Sequence, residues 1–400
     1  MIVTQGVVPS SFSIGDLTPI PKKGKLATQC SSFRPITVAT TFCKLFELLF
    51  IDQLNAKCYV PPNQFGFQPL LGCAHALSVV ANALIDADAS GETLVLAGHD
   101  VRKAFDSLIH AAMLLHAEKR GVSPSYIRAL RDMYYRLNVR LILHPLAKVD
   151  GSQVYAPTPN IFVNVEKGTR QGAVSSPSLF NNVVLDAQSA VPTSFIFAGL
   201  DLSLVCYADD ILNVSRTIQR ISEIFATLQS EYAKLGLQFN AEKSEVVFFN
   251  WKQASPRDIP LGNSRIKPVD HITYLGLPIG SSVMHTQKLL IAHIERRVGL
   301  SYASFVTNKL RFNRNLLSKL FNSVALPHYL YISPFWKMLT NSDKSKICSV
   351  FFRFAKYLLR FPSWTRNSYL IRKFSIADPI IAVEKQIRAY NFHLTKLSHP

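Results

Sequence analysis

Two aspartates stand side by side at Asp209-Asp210, inside a Tyr207-Ala208-Asp209-Asp210 run flanked by the apolar segments LSLVCYA and ILNVS. Two short apolar runs around acidic residues read as strands joined by a tight turn. Carboxylates at the tip of a rigid hairpin suit hard divalent cations, which take oxygen ligands. Asp is also a common turn residue, so in isolation the same letters serve equally well as a solvated turn. A third carboxylate, Asp100, ends the apolar run TLVLAGH and stands beside the hairpin if both share a sheet. Phosphoryl transfer with two ions roughly 4 Å apart needs bridging carboxylates from adjacent strands, one ion activating the attacking hydroxyl and the other neutralising the leaving group. Asp100 and Asp209 suit that bridging task, Asp210 an outer or occasional ligand, and Asp106 the cap of the following helix.

These groups need a frame. Leu17 to Pro21 reads as a strand entering the basic turn Lys22-Lys23-Gly24-Lys25. Thr40 or Thr41 caps a helix over FCKLFELLFIDQL, with apolar residues at 42, 45, 46, 49 and 50 on one face; Pro61 and Pro62 close the region. A helix over Ala74 to Ala87 precedes the strand that ends at Asp100. Residues 107 to 137 read as helical around a turn at 121–124, with Ser123 as a cap. A β-rich stretch, Val139 to Val165, leads to Gly168, and a helix over about 176 to 190 precedes the hairpin. Thr217 to Leu235 is helical and closed by Gly236, EVVFFN is a strand, and beyond Tyr274-Leu275 the pattern is helical.

The 400 residues carry a net charge of +18, and residues 285 to 400 hold 19 Lys and Arg against four acidic residues. Such a basic tail points to a polyanion, nucleic acid before an anionic membrane surface; a solvated basic face is the alternative. The interleaved aromatics Tyr302, Phe305, Phe312, Phe321, Tyr329, Trp336 and Phe352 serve equally as core. Six cysteines, at 30, 43, 58, 73, 206 and 348, form no CxxC pair, which excludes a local structural zinc site; they read as reduced and mostly buried. No apolar run reaches the roughly 20 residues of a membrane span, and no signal peptide opens the chain, so a soluble intracellular protein is expected.

With these elements in place, the motifs resemble in order those of reverse transcriptases of the non-LTR (LINE-like) and group II intron branch. HDVRKAFDSL at 99 to 108 resembles the first palm motif, GTRQGAVSSPSLFNN at 168 to 182 the second, and YADD at 207 to 210 the third. GLQFNAEKSEVVFF, with Lys243, and TYLGLPI at 273 to 279 follow; LTPIPKKG, SSFRPIT and NQFGFQPLLGCAHAL resemble the fingers motifs upstream. One departure is Gln68, where the family has a basic residue after Gly-Phe.

The resemblance implies an α+β right-hand polymerase: fingers over 1–95, a palm of antiparallel sheet and helices over 96–280 with an insertion at about 110–165, and a basic helical thumb over 281–400. It implies metal ligands Asp100, Asp209 and Asp210 for two Mg²⁺ ions, Mn²⁺ being a possible substitute, and Lys243 as general acid toward pyrophosphate. The dNTP would be held by Lys22, with Lys23 a close rival, and by Arg34, Gln171 and Gly172; Phe105 would clash with a 2′-hydroxyl. Tyr274, Leu275 and Gly276 would grip the primer. The expected partners are an RNA template, a DNA primer or target and dNTPs, in a nuclear retrotransposition reaction. A non-catalytic RNA-binding or maturation factor, a decayed element copy and an RNA-dependent RNA polymerase are the competing readings, the last opposed by Phe105. No endonuclease or zinc knuckle is expected within these 400 residues.

Overall fold

The computed structural model describes the chain except residues 1, 23, 25, 27–28, 58–60, 143–147, 150–151, 154–160, 241–242, 254–257, 262–263, 308–312 and 398–400. Lys23, Lys25, Cys58, Phe312 and much of the expected β-rich stretch fall outside the described residues. Two compact units are each assembled from separate stretches of chain: Met1–Phe67, Asp100–Pro192 and Glu223–Ala241 form one, and Gln68–His99, Thr193–Ser222 and Glu242–Pro400 the other.

The first unit holds a mixed four-stranded sheet in the order Phe33–Val38, Ile14–Pro21, Asn138–Leu141, Ile161–Asn164. The first pair is antiparallel, with Ile20 opposite Arg34, and the central pair is parallel. Beside it runs the helix Thr41–Asn55, capped by Thr40, whose Oγ1 accepts from the Cys43 amide at 3.4 Å. Its inner face differs from the expected one. Cys43, Phe46, Phe50 and Leu54 are buried, whereas Phe42, Leu45 and Leu49 are exposed. The reason is electrostatic: the inward face carries Glu47, which rotates the helix toward Arg170.

Arg170 and Glu47 form an ion pair at 2.8 Å, each side chain only 1% exposed. The guanidinium also donates to the Phe12 carbonyl at 2.9 Å, and the other Glu47 oxygen accepts from the Val174 amide at 3.0 Å. Ser176 donates to the Arg170 carbonyl at 2.9 Å, so the loop before the helix Ser176–Ser189 is fixed from both sides. Ser123 occupies the cap position of the helix Pro124–Tyr135, but its side chain makes no capping bond.

The second unit is built on a buried four-stranded sheet in the order Val205–Tyr207, Asp210–Ser215, Leu94–Asp100, Glu245–Phe249. Leu94 pairs antiparallel with Phe249 and Gly98 with Glu245. Leu94 to Ala97, Val205, Cys206, Val246 and Val247 are buried; such near-continuous apolar strands are those of a sheet covered on both faces. The helix Cys73–Ser90 packs on it and ends at Gly91 in the left-handed region, φ 67°. From Val283 onward the described chain is helical: Val283–Thr307, Arg314–Tyr331, Asn341–Leu359, Asn367–Phe374 and Pro379–Leu397. Phe305, Phe321, Tyr329, Trp336 and Phe352 resolve as core, with Phe321 and Tyr329 packed about Phe351 at 5.0 and 5.2 Å. Of the described cysteines Cys43 and Cys206 are buried and Cys30 is exposed. No helix among the described residues is long and apolar enough to cross a membrane.

Breaking a buried ion pair from one side leaves an uncompensated charge. Glu47→Ala should lower the unfolding free energy by about 3–5 kcal/mol in urea titration, and Glu47→Leu combined with Arg170→Met should cost less than the two single changes together.

Candidate active site

In the second unit the two aspartates sit where a two-residue turn closes a hairpin. Tyr207 pairs with Asp210, leaving Ala208 and Asp209 as the turn, with Ala208 at φ 56°. The strand Asp210–Ser215 has Leu94–Asp100 as its other neighbour in the sheet. Asp209 is half-buried and Asp210 exposed. Among the described residues no group of three or more His, Cys, Asp or Glu side chains is gathered as a ready-made metal cage.

The expected grip segment forms a second hairpin in the same unit, His271–Tyr274 with Leu277–Gly280. Leu275 and Gly276 are its turn, with φ 45° and 78°, the doubly left-handed geometry of a type I′ turn. A leucine there costs roughly 1–2 kcal/mol. Tyr331 holds it in place, its hydroxyl donating to the Leu275 carbonyl at 2.6 Å. Tyr274 is buried, and its hydroxyl donates to the Val205 carbonyl at 3.0 Å. The side chain of Tyr274 therefore ties its hairpin to the aspartate hairpin, while Gly276 in the turn is exposed. Burial, and then contact with Cys73, pushes the Tyr331 hydroxyl up to about 12; burial likewise pushes Tyr207 up to about 12, the Cys73 thiol bonding to it as well. Lys243 is exposed, just ahead of the strand Glu245–Phe249.

The first unit holds the other candidates. Asp100 begins its second stretch of chain, half-buried, and its carbonyl accepts from the Asn240 amide at 2.8 Å. Phe105 lies half-buried in the short helix Ala104–Ser107, stacked on Phe180 at 4.9 Å and met edge-on by Phe67 at 6.5 Å. Asp106 is not the expected cap. The cap position of the helix that follows, His110–Lys119, belongs to Ile109, and the Asp106 carboxylate instead accepts from the Gln171 side chain at 2.7 Å. Gln171 is thus held by its side chain and by its carbonyl, which accepts from the Thr37 amide at 2.6 Å. Gly172 has φ 105°, and a Cβ there would stand 2.8 Å from the Thr37 carbonyl oxygen. Gly168 is equally obligatory, since a Cβ would fall 2.6 Å from the Asp106 carbonyl.

Lys22 continues the strand Ile14–Pro21 and Arg34 lies in its antiparallel partner, opposite Ile20. Strand alternation places both on one face as diagonal neighbours. Arg34 is exposed, and the Lys22 ammonium donates to the Ser31 carbonyl at 3.0 Å. The structure thus joins Phe105, Gln171 and Gly172 through Asp106 and the flanking glycines, and joins the two hairpins through Tyr274. Sequence reasoning missed Arg170, Glu47, Phe180, Phe67, Cys73 and Tyr331. Glu47 and Arg170 had a signal, being single charges inside otherwise apolar or small-residue runs. Tyr331 had none, lying 56 residues from its partner.

A family model described as "Reverse transcriptase (RNA-dependent DNA polymerase)" matches residues 20–279. The RNA-directed DNA polymerase from mobile element jockey of Drosophila melanogaster is 23% identical, over 86% of this chain and 37% of its own length. The probable RNA-directed DNA polymerase from transposon X-element of the same species is 22% identical, over 99% and 43%. The Pol polyprotein from its type-2 retrotransposable element R2DM is 26% identical, over 61% and 22%. The chain therefore spans less than half the length of these relatives. Among solved structures, a telomerase from Candida albicans bound to a fragment of telomeric RNA aligns with 94% of this chain and 68% of its own, at 12% identity and a TM-score of 0.48.

Gly172→Ala should destabilise the fold by about 1–3 kcal/mol in urea titration, because it meets both a left-handed backbone and the Thr37 carbonyl. Gly98→Ala, where a Cβ meets nothing within 4 Å, should leave the midpoint unchanged.

Proposed function

Because this chain belongs to the reverse transcriptase family, we propose that it copies RNA into DNA from a primer 3′-hydroxyl, as the polymerase part of a non-LTR retrotransposition machinery. The observation that carries this reading is the Asp209-Asp210 hairpin, set next to the strand that ends in Asp100 within the residues the family model matches. Fingers over 1–95, palm over 96–280 and thumb over 281–400 are the corresponding parts of the family's right-hand α+β fold.

Asp100 and Asp209 would hold a pair of Mg²⁺ ions, or Mn²⁺ in their place, with Asp210 an outer ligand; the ions supply activation of the hydroxyl and neutralisation of the developing charge. The chain's own residues do the rest. Lys22 and Arg34 hold the triphosphate, the guanidinium able to fork onto two oxygens. Phe105, clamped between Phe180 and Phe67, underlies the incoming sugar and clashes with a 2′-hydroxyl. Gln171 and Gly172 bring backbone up to the nascent base pair, which the left-handed glycine allows. The primer oxygen bonds to the α-phosphorus as the bond to pyrophosphate breaks, and Lys243 donates a proton to the departing pyrophosphate. The Leu275-Gly276 turn, anchored by Tyr274 and Tyr331, steadies the primer end. Catalysis by such a site is positioning and charge compensation.

Primer extension on an RNA template with Mg²⁺ tests this reading. The intact chain should extend with dNTPs, Asp209→Asn should slow extension by about a hundredfold or more, and Phe105→Val should admit ribonucleotides. Extension untouched by Asp209→Asn would reject the metal assignment. A folded chain that binds RNA and never extends a primer would instead be a non-catalytic binding factor.

A further inference from the structure

The helix Asn341–Leu359 lies beyond the residues matched by the family model, and it has two different faces. Ile347, Val350, Phe351, Ala355 and Leu359 are buried. On the other side Ser342, Ser345, Lys346, Ser349, Arg353 and Lys356 recur every three or four residues, so they form one stripe. That stripe lines a groove of about 610 Å³ floored by Val350 and Phe352 and completed by Tyr357, by Ser363 and Asn367 from the next segment, and by one carboxylate, Glu295.

The groove ends at an aromatic display. Thr365 donates its amide to the Pro362 carbonyl at 3.0 Å, closing a turn with Ser363 and Trp364 at its tip. Trp364 is 83% exposed and Tyr357 49%. The turn is pinned at its base: the Lys356 ammonium donates to the Ser363 carbonyl at 2.9 Å, and the Phe361 ring lies under the Arg314 guanidinium at 4.5 Å and against Phe374 at 5.3 Å. An indole this exposed on an anchored turn leaves most of its ring to solvent. Of the aromatics expected to interleave with the basic residues, Phe305, Phe321, Tyr329, Trp336 and Phe352 are core; Tyr357 and Trp364, outside that set, are exposed.

We propose that this groove is a binding site for single-stranded RNA, separate from the polymerase site. Cations spaced along a groove with exposed rings beside them match an unpaired strand, whose phosphates track the charge while its bases stack. A duplex offers no free base faces to Trp364. Ser345, Ser349 and Ser363 set hydroxyls along the groove, where the 2′-hydroxyl that distinguishes RNA finds partners. Lys346 shares its charge with Asp343 at 3.6 Å, and Glu295 opposes phosphate, so both acidic groups moderate the site. The inference does not depend on catalysis.

The test uses the full chain and an unstructured 12-nucleotide oligouridine carrying 4-thiouridine. Photocrosslinking should place adducts on the segment 353–367; adducts found only elsewhere would overturn the proposal. In fluorescence anisotropy Trp364→Ala should weaken oligouridine binding about tenfold, while an RNA–DNA duplex binds as before. Lys346→Gln with Arg353→Gln should reduce the slope of log affinity against log salt by about 1.4. Glu295→Gln should tighten binding. Equal losses for duplex and single strand in Trp364→Ala would make the surface a duplex contact. Equal affinity for deoxyuridine and uridine oligomers would overturn the assignment to RNA. Primer extension persisting in Trp364→Ala keeps this result separable from the polymerase reading.

Discussion

A single buried ion pair organises the first unit. Arg170 and Glu47 have almost no solvent to share their charges with, so each must be met by the other and by backbone dipoles. The guanidinium ties down the carbonyl of Phe12 and the carboxylate the amide of Val174, while Ser176 closes on the main-chain carbonyl of Arg170 itself. The consequence falls on the next two residues. Gln171 and Gly172 follow Arg170 directly in the chain, so neither can be placed independently of the buried pair. The same pair decides which side of the helix Thr41–Asn55 faces inward, against the simple apolar pattern.

Tyrosine hydroxyls do the comparable work in the second unit. Tyr274 reaches the strand Val205–Tyr207, and Tyr331 from the helix Arg314–Tyr331 reaches the Leu275 carbonyl. Both hydroxyls are held protonated by burial, so they remain donors across the range in which a polymerase works. The bond to Leu275 offsets a backbone conformation that a leucine would not choose. A shift of the C-terminal helices is therefore transmitted to the turn through one short bond.

Much of this was legible in the sequence because it was local. The aspartate hairpin, the strand before Asp100, the Thr40 cap and the helices around Gly121 and Gly236 depend on neighbours a few residues apart, and their letters carried them. The order of motifs carried the family. What could not be read was nonlocal or hidden by chemical ambiguity. Asp106 is as good a helix cap as a side-chain acceptor, and only the approach of Gln171 decides between them. Aromatic residues in the basic region are core or surface according to the helix face they occupy, which the composition does not reveal: Phe352 is buried, whereas Trp364, a turn away from any helix, is not.

The way the units are threaded has a temporal consequence. The first unit takes its last segment from Glu223–Ala241, after the chain has already left it twice, and the second unit cannot be completed before the final helix. During synthesis at about 5–20 residues per second, the last stretch of the first unit is finished roughly 10–35 s after its first, which ends at Phe67. The apolar strand Leu94–Asp100 is made roughly 5–20 s before its sheet partner Asp210–Ser215, and longer still before Glu245–Phe249. An emerging chain of this kind carries an apolar, unpaired strand for seconds before it can shelter it, an aggregation hazard built into its connectivity.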